Sequence, residues 1–145
     1  TRRAGMIPKN GRGLGINVAI VGNNGFNSPQ FIKAAGKTAD GSIMASPWFP
    51  GKDDATVKKF VASYKEKYKK DPDQFAAQAY DALKIMAVAL EKSGSTTDRK
   101  KLRDSLAAIK DFPGVTGKFA FDAKRNPAMD VTVLIVKDGQ FTELK

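Results

Sequence analysis

Residues 18–29, VAIVGNNGFNSP, decide how this chain folds. Val18–Val21 is an apolar, largely β-branched run without alternation, the pattern of a strand buried in a parallel sheet. Gly22 to Asn27 breaks it with turn-forming residues. Ser28 is then a good N-cap and Pro29 a good first helical residue, and Gly36 halts the helix after Ala35. Strand, loop and helix in that order make the repeating unit of an α/β fold. In such folds the loop leaving a strand's carboxyl end is where ligands bind. Asn23 and Asn24 lie in that loop and are candidate ligand-binding residues. The competing reading is that they merely accept left-handed turn geometry.

The same alternation continues downstream. Asp40-Gly41 turns into a short strand at 42–45, and Ser46-Pro47-Trp48-Phe49-Pro50-Gly51 forms a stiff, extended crossing. A lone Trp there is a packing residue more often than a stacking platform. Asp53 or Asp54 caps a helix that puts Val57, Phe60, Val61, Tyr64 and Tyr68 on one face, with lysines left for solvent. Asp71-Pro72-Asp73 ends it and caps the next. From Phe75 to Lys92 the pattern is apolar nearly all round, which predicts a deeply packed helix. Thr97 or Asp98 caps a third, carrying Leu102, Leu106 and Ile109. Phe119 and Phe121 alternate with Ala120 as a strand, and 122–127 reads as a turn. Val131–Val136 is a strong strand, turned by Lys137-Asp138-Gly139 into Gln140–Leu144, and Asp-Gly is a strong hairpin signal.

Upstream, residues 1–17 carry Gly5, Gly11, Gly13, Gly15 and Pro8, which argue for turn or loop. Thr1–Ala4 reads as the tail of a helix closed by Gly5. The GRGLG run at 11–15 lacks the preceding strand and following Gly-Lys-Ser/Thr of a phosphate loop, and reads as a flexible loop.

Composition narrows the chemistry. The 145 residues contain no His and no Cys, so there is no imidazole base, thiolate nucleophile or His/Cys metal cage. No metal or cofactor is implied. Asp40, Asp53, Asp54, Asp122 and Glu143 form no recognisable acid/base pair with a nucleophile, and most sit at caps or turns, so no catalytic residue is assigned. The net charge is +10. It divides evenly: residues 1–50 hold six basic and one acidic residue (+5), and 51–145 hold nineteen and fourteen (+5). Nucleic-acid binders concentrate such charge on one face and interleave aromatics, so no nucleic acid is expected. A field attractive to anions is the plainer reading. A ligand-sensing module, or a basic interaction module binding an anionic partner, stays open as the alternative function.

Several blocks, in order, resemble a known family: VAIVGNNGFNSPQFIKAAGKTADGSIMASPWFPGKDD at 18–54, KKDPDQFAAQAYDALKIMAVALEKSGS at 69–95, GVTGKFAFDAKRNP at 114–127 and VLIVKDGQF at 133–141. They are similar to the extracytoplasmic solute-binding proteins of branched-chain amino-acid ABC transporters, the Leu/Ile/Val-binding type. The resemblance runs from about Val18 to the end and matches the C-terminal portion of such proteins. It implies a type I periplasmic-binding-protein-like fold, two α/β lobes joined by crossings, with solute enclosed at a hinged cleft. Carried over, residues 1–47 and 130–145 are pieces of the second lobe and 52–127 a piece of the first. Residues 48–51 and 127–130 are then hinge crossings.

The resemblance also implies a function: non-catalytic binding of a small solute, a branched-chain or other amino acid or a relative, for delivery to an ABC permease outside the cytoplasm. The protein would be periplasmic or lipid-anchored at the cell surface. Asn24 matches the position where a carboxylate commonly receives the solute's α-ammonium, and Phe75 the aromatic lining of the side-chain pocket. The departure at Asn24 weakens any grip on an ammonium, because charge-assisted hydrogen bonds are roughly twice as strong as neutral ones. Tyr80 and Asp81 match the family's helix pattern and are expected to pack and cap. Carrying two lobe pieces without the remainder, the chain is expected either to pair with a second copy as a homodimer or to be one part of a larger protein.

Overall fold

Four helix starts are set by a side-chain oxygen accepting from the first turn's backbone, and each lies where the sequence puts it. In the computed structural model, which describes residues 2–145, Ser28 caps α2 (Pro29–Ala35) and Asp54 caps α3 (Ala55–Tyr68). Asp73 caps α4 (Gln74–Ser93) and Asp98 caps α5 (Arg99–Ala107). Each cap satisfies amide donors that have no partner within the helix. Gly36 (φ 59°) and Gly94 (φ 61°) end α2 and α4 in backbone that favours glycine.

The chain forms two compact units, residues 1–51 with 131–145, and residues 52–130. The first holds α1 (Arg2–Gly13), α2 and a four-stranded sheet of order β1-β2-β6-β7. Its strands are β1 (Val21–Gly22), β2 (Ile43–Ser46), β6 (Thr132–Lys137) and β7 (Gln140–Glu143). β1 runs parallel to β2, while β2–β6 and β6–β7 are antiparallel. Phe26, Phe31, Ala35, Met44, Leu134 and Val136 form the core of this unit. Asp138 (φ 50°) and Gly139 (φ 70°) make the two-residue turn between β6 and β7, the positive-φ pair that a type I′ hairpin needs.

The second unit holds α3, α4 and α5 with a sheet of β3 (Phe112–Gly114), β4 (Gly117–Phe121) and β5 (Pro127–Met129). Ile85 and Ala89 of α4 pack with Ile109, and Leu102, Leu106, Phe112 and Phe119 close around them.

Several expectations are corrected. Residues 2–13 are a helix, not a loop, despite Pro8 and the glycines; Thr1, expected in a helix tail, lies outside the described residues. Packing overrides propensity here: a Cβ on Gly5 would sit 2.6 Å from the Phe31 carbonyl oxygen and 2.7 Å from Ala34 Cβ, so glycine is what lets α1 approach α2. The strand expected at Val18–Val21 pairs only over Val21–Gly22 and is an edge, so Val18 and Val21 are 63% and 73% exposed, not buried. α4 buries one stripe, Gln74, Ala77, Asp81, Ile85 and Ala89. Its opposite face is open, with Leu83 73% exposed, so the helix is not enclosed all round. Pro127, read as the last residue of a turn, instead opens β5, which pairs with β4 as Ala120↔Ala128 and Phe119↔Met129. Trp48 needs no correction: read as a packing residue, it is 1% exposed, and Phe49 packs on the core of the first unit.

Candidate functional site

The loop after β1 is a 3₁₀ turn over Asn24–Phe26 that Asn23 caps, its Oδ1 accepting from Gly25 N at 2.9 Å. Asn23 has φ −87°, and neither it nor Asn24 is among the positive-φ residues. Left-handed turn geometry is therefore not why these asparagines are here. Asn23 is exposed and acts as a local cap; Asn24 is half-buried.

Asn24 is held by side chains from farther along the chain. Ser46 Oγ donates to Asn24 Oδ1 at 2.8 Å. Asn27 Nδ2 donates to Ser46 Oγ at 2.8 Å and to the Trp48 carbonyl at 2.7 Å, and Trp48 N donates to Ser46 Oγ at 3.3 Å. Asn27 and Ser46 are themselves buried, so the group is a satisfied polar network that rigidifies the loop. Sequence reading missed both residues. Asn27 stood in the quoted loop, but its partners lie 19 and 21 residues away, beyond any local pattern.

Phe75 belongs to the second unit, where it is the second residue of α4 and 52% exposed. Asp81 on the same helix is buried. Its Oδ1 accepts from Val115 N at 2.9 Å, and its Oδ2 accepts from Thr116 N at 2.8 Å and Thr116 Oγ1 at 2.6 Å. It thus fastens the β3–β4 turn, while Tyr80 packs on Phe60 with ring centroids 4.9 Å apart and the rings tilted by 46°. Both are structural roles.

The other carboxylates are not poised for acid/base work. Lys58 beside Asp53 holds that carboxyl below its usual range. Backbone and side-chain donors of Asn126, with the Lys124 amide, do the same for Asp122. Asp40 accepts from Gly139 N at 3.0 Å, and Asp54 caps α3. A general acid at neutral pH needs the opposite shift. Among the described residues no group of three or more His, Cys, Asp or Glu is placed to hold a metal ion.

Two apolar grooves lie within the second unit. One of about 290 Å³ is lined by Asp81, Ile85, Met86, Leu106, Phe119 and Met129, but the Asp81 carboxylate is engaged by residues 115 and 116. The other, of about 960 Å³, lies along α3 and α4 against Phe60, Tyr64, Tyr80 and Leu83.

Comparison with known proteins agrees with this architecture. Residues 9–140 match the family described as periplasmic binding protein, and the chain belongs to that family. A leucine-, isoleucine-, valine-, threonine- and alanine-binding protein of Pseudomonas aeruginosa is 27% identical over 143 residues, covering 97% of this chain and 38% of that protein. The branched-chain amino acid transporter substrate-binding protein LivJ of Streptococcus pneumoniae, solved with isoleucine, superposes with a TM-score of 0.84. It is 34% identical over 97% of this chain and 40% of its own. A solute-binding protein of an ABC transporter from R. palustris, solved with benzoate, has a TM-score of 0.79 and 26% identity over 97% and 39% of the two chains. The chain thus spans about two fifths of the length of these relatives.

Proposed function

We propose that this chain is the C-terminal part of a solute-binding protein of an ABC importer. That protein takes up a branched-chain or other small amino acid, or a related carboxylate, without transforming it. What carries the reading is the family match over residues 9–140, together with the likeness to a binding protein solved with isoleucine. It acts outside the cytoplasm, periplasmic or lipid-anchored, and presents its solute to a membrane permease. No described helix is long and apolar enough to cross a membrane itself.

In this reading the first unit is a piece of the second lobe and the second unit a piece of the first, with the joints near Gly51 and Asp130. The division of contacts at those residues supports it. Asn24, with Asn23 beside it, and Phe75 are the proposed solute contacts. Closure around the solute is stabilised only by contacts stronger in the closed state than in the open one. The exposed edge of β1 and the open apolar face of α4 are surfaces that the remaining three fifths of a full-length protein would cover, in preference to a homodimer. The test is calorimetry on the full-length protein with aliphatic amino acids and small organic acids. Saturable heat with a member of that panel is expected, and a flat response to every member would refute the reading.

A further inference from the structure

Residues 1–39 hold six basic side chains and no acidic one; the first carboxylate of the chain is Asp40. Three of the six meet at one place in the first unit. Gly5 lets α1 close on α2, and a groove of about 390 Å³ runs between the two helices. Arg2, Met6 and Lys9, each about a turn from the last, line it from α1, and Gln30, Lys33 and Ala34 line it from α2. No carboxylate is among these lining residues. Arg2, Lys9 and Lys33 are exposed, and none of them joins an ion pair among the described residues.

The outward face of α1 mixes cations with apolar groups. Arg3 is exposed there, and Met6 and Ile7 are 41% and 57% exposed, whereas Gly5 and Pro8 turn inward. Cations interleaved with aliphatic side chains suit the boundary between phospholipid headgroups and acyl chains. They suit a nucleic acid poorly: α1 carries no aromatic residue, and that of α2, Phe31, is fully buried, so no ring is offered to a base. Enclosing three unpaired cations is costly, whereas covering an apolar edge is favourable. The rest of a full-length protein thus has physical reason to cover β1 and leave this face to solvent.

We propose that the α1–α2 face is a docking surface for an anionic phospholipid membrane, with lipid phosphates seated in the groove among Arg2, Lys9 and Lys33. Met6 and Ile7 meet the apolar boundary beneath the headgroups. The inference rests on the reading of the whole protein as an extracytoplasmic solute receptor, which such a surface would hold beside the membrane that its permease occupies.

The test is flotation of the full-length protein with vesicles of phosphatidylglycerol in phosphatidylcholine, and with vesicles of phosphatidylcholine alone. The ratio of the two affinities is read, so that a lipid anchor, adding equally to both, cancels. Each cation near an anionic surface strengthens binding roughly fivefold, so a ratio of at least about twentyfold is expected in dilute salt, falling steeply as salt is raised. Lys9→Glu with Lys33→Glu should lower that ratio at least about tenfold, and the gentler pair Lys9→Gln with Lys33→Gln at least about threefold. Lys92→Glu with Lys101→Glu makes the same change of charge at exposed positions of the second unit, and should leave the ratio within about twofold. Equal affinity for the two kinds of vesicle overturns the inference. So does an equal loss in the second-unit pair, which would assign binding to net charge alone, or a ratio indifferent to both changes at Lys9 and Lys33. Binding confined to vesicles that carry the permease overturns it in favour of an acidic protein surface. Solute calorimetry on the same samples keeps the two readings apart: its silence refutes solute binding, while the vesicle ratios decide this face. If the Lys9→Glu pair does not fold, the Lys9→Gln pair decides.

Discussion

Replacing Asp81 with alanine tests whether the buried carboxylate on α4 is what holds the β3–β4 turn. The carboxylate accepts from the Val115 and Thr116 amides and the Thr116 hydroxyl at 2.9, 2.8 and 2.6 Å. Val115 and Thr116 are only 3% and 2% exposed, so their amides cannot turn to water when the acceptor goes. The hydroxyl can rotate to another partner, but the two backbone donors cannot. Each buried donor left without a partner costs roughly 1–3 kcal/mol, and hydrogen bonds to a charged group sit toward the upper end. The sum is about 3–6 kcal/mol, a large share of the roughly 5–15 kcal/mol that holds a domain together. Each kcal/mol lowers the melting temperature of a unit this size by about 4–8 °C, so a fall of at least about 12 °C is expected. Thermal denaturation followed by circular dichroism reads that loss, and amide hydrogen exchange at Val115 and Thr116 localises it. A fall smaller than about 4 °C, or unchanged protection at both amides, would refute the argument. Well below the melting temperature, solute affinity should stay within about threefold of the unaltered protein, since Asp81 acts on the turn and not on the solute.

Two further outcomes follow from packing and charge. Gly5→Val should destabilise the protein by about 1–3 kcal/mol, because its Cβ meets the Phe31 carbonyl and Ala34 and forces α1 off α2; a melting temperature equal to or above that of the unaltered protein would contradict this close approach. At Asp122, donors from Asn126 and Lys124 favour the carboxylate, so its folded pKa lies below the ordinary 3.8. The turn's contribution is therefore fully present above the unfolded pKa and is lost as pH falls through the folded one. An NMR titration of the Asp122 side chain should give a midpoint under 3.8, and a midpoint at or above that value would count against these contacts.

Local chemistry was legible wherever a residue acts on its near neighbours. Ser28, Asp54, Asp73 and Asp98 cap the next turn of backbone, and Asp138-Gly139 supplies the positive φ values of its hairpin. The position of Asn23 and Asn24 after a strand was legible too. What Asn24 is bonded to was not, because Ser46 lies 22 residues away. Asp81 and its partners are 34 and 35 residues apart. The short strands Phe112–Gly114 and Pro127–Met129 carry prolines that argue against a strand. They exist because β4 offers each of them a pairing edge.

Alone, the amino-acid order determined the alternation of strands and helices, where α2 to α5 begin, and the absence of imidazole and thiol chemistry, since all of these depend on residue type and on contacts a few residues apart. Only the tertiary structure decided that residues 2–13 are helical, that β1 is an exposed edge, that α4 buries a single stripe, and which way the amide of Asn24 points. Those outcomes depend on groups brought together from distant parts of the chain, where close packing and hydrogen-bond partnership outweigh intrinsic preference.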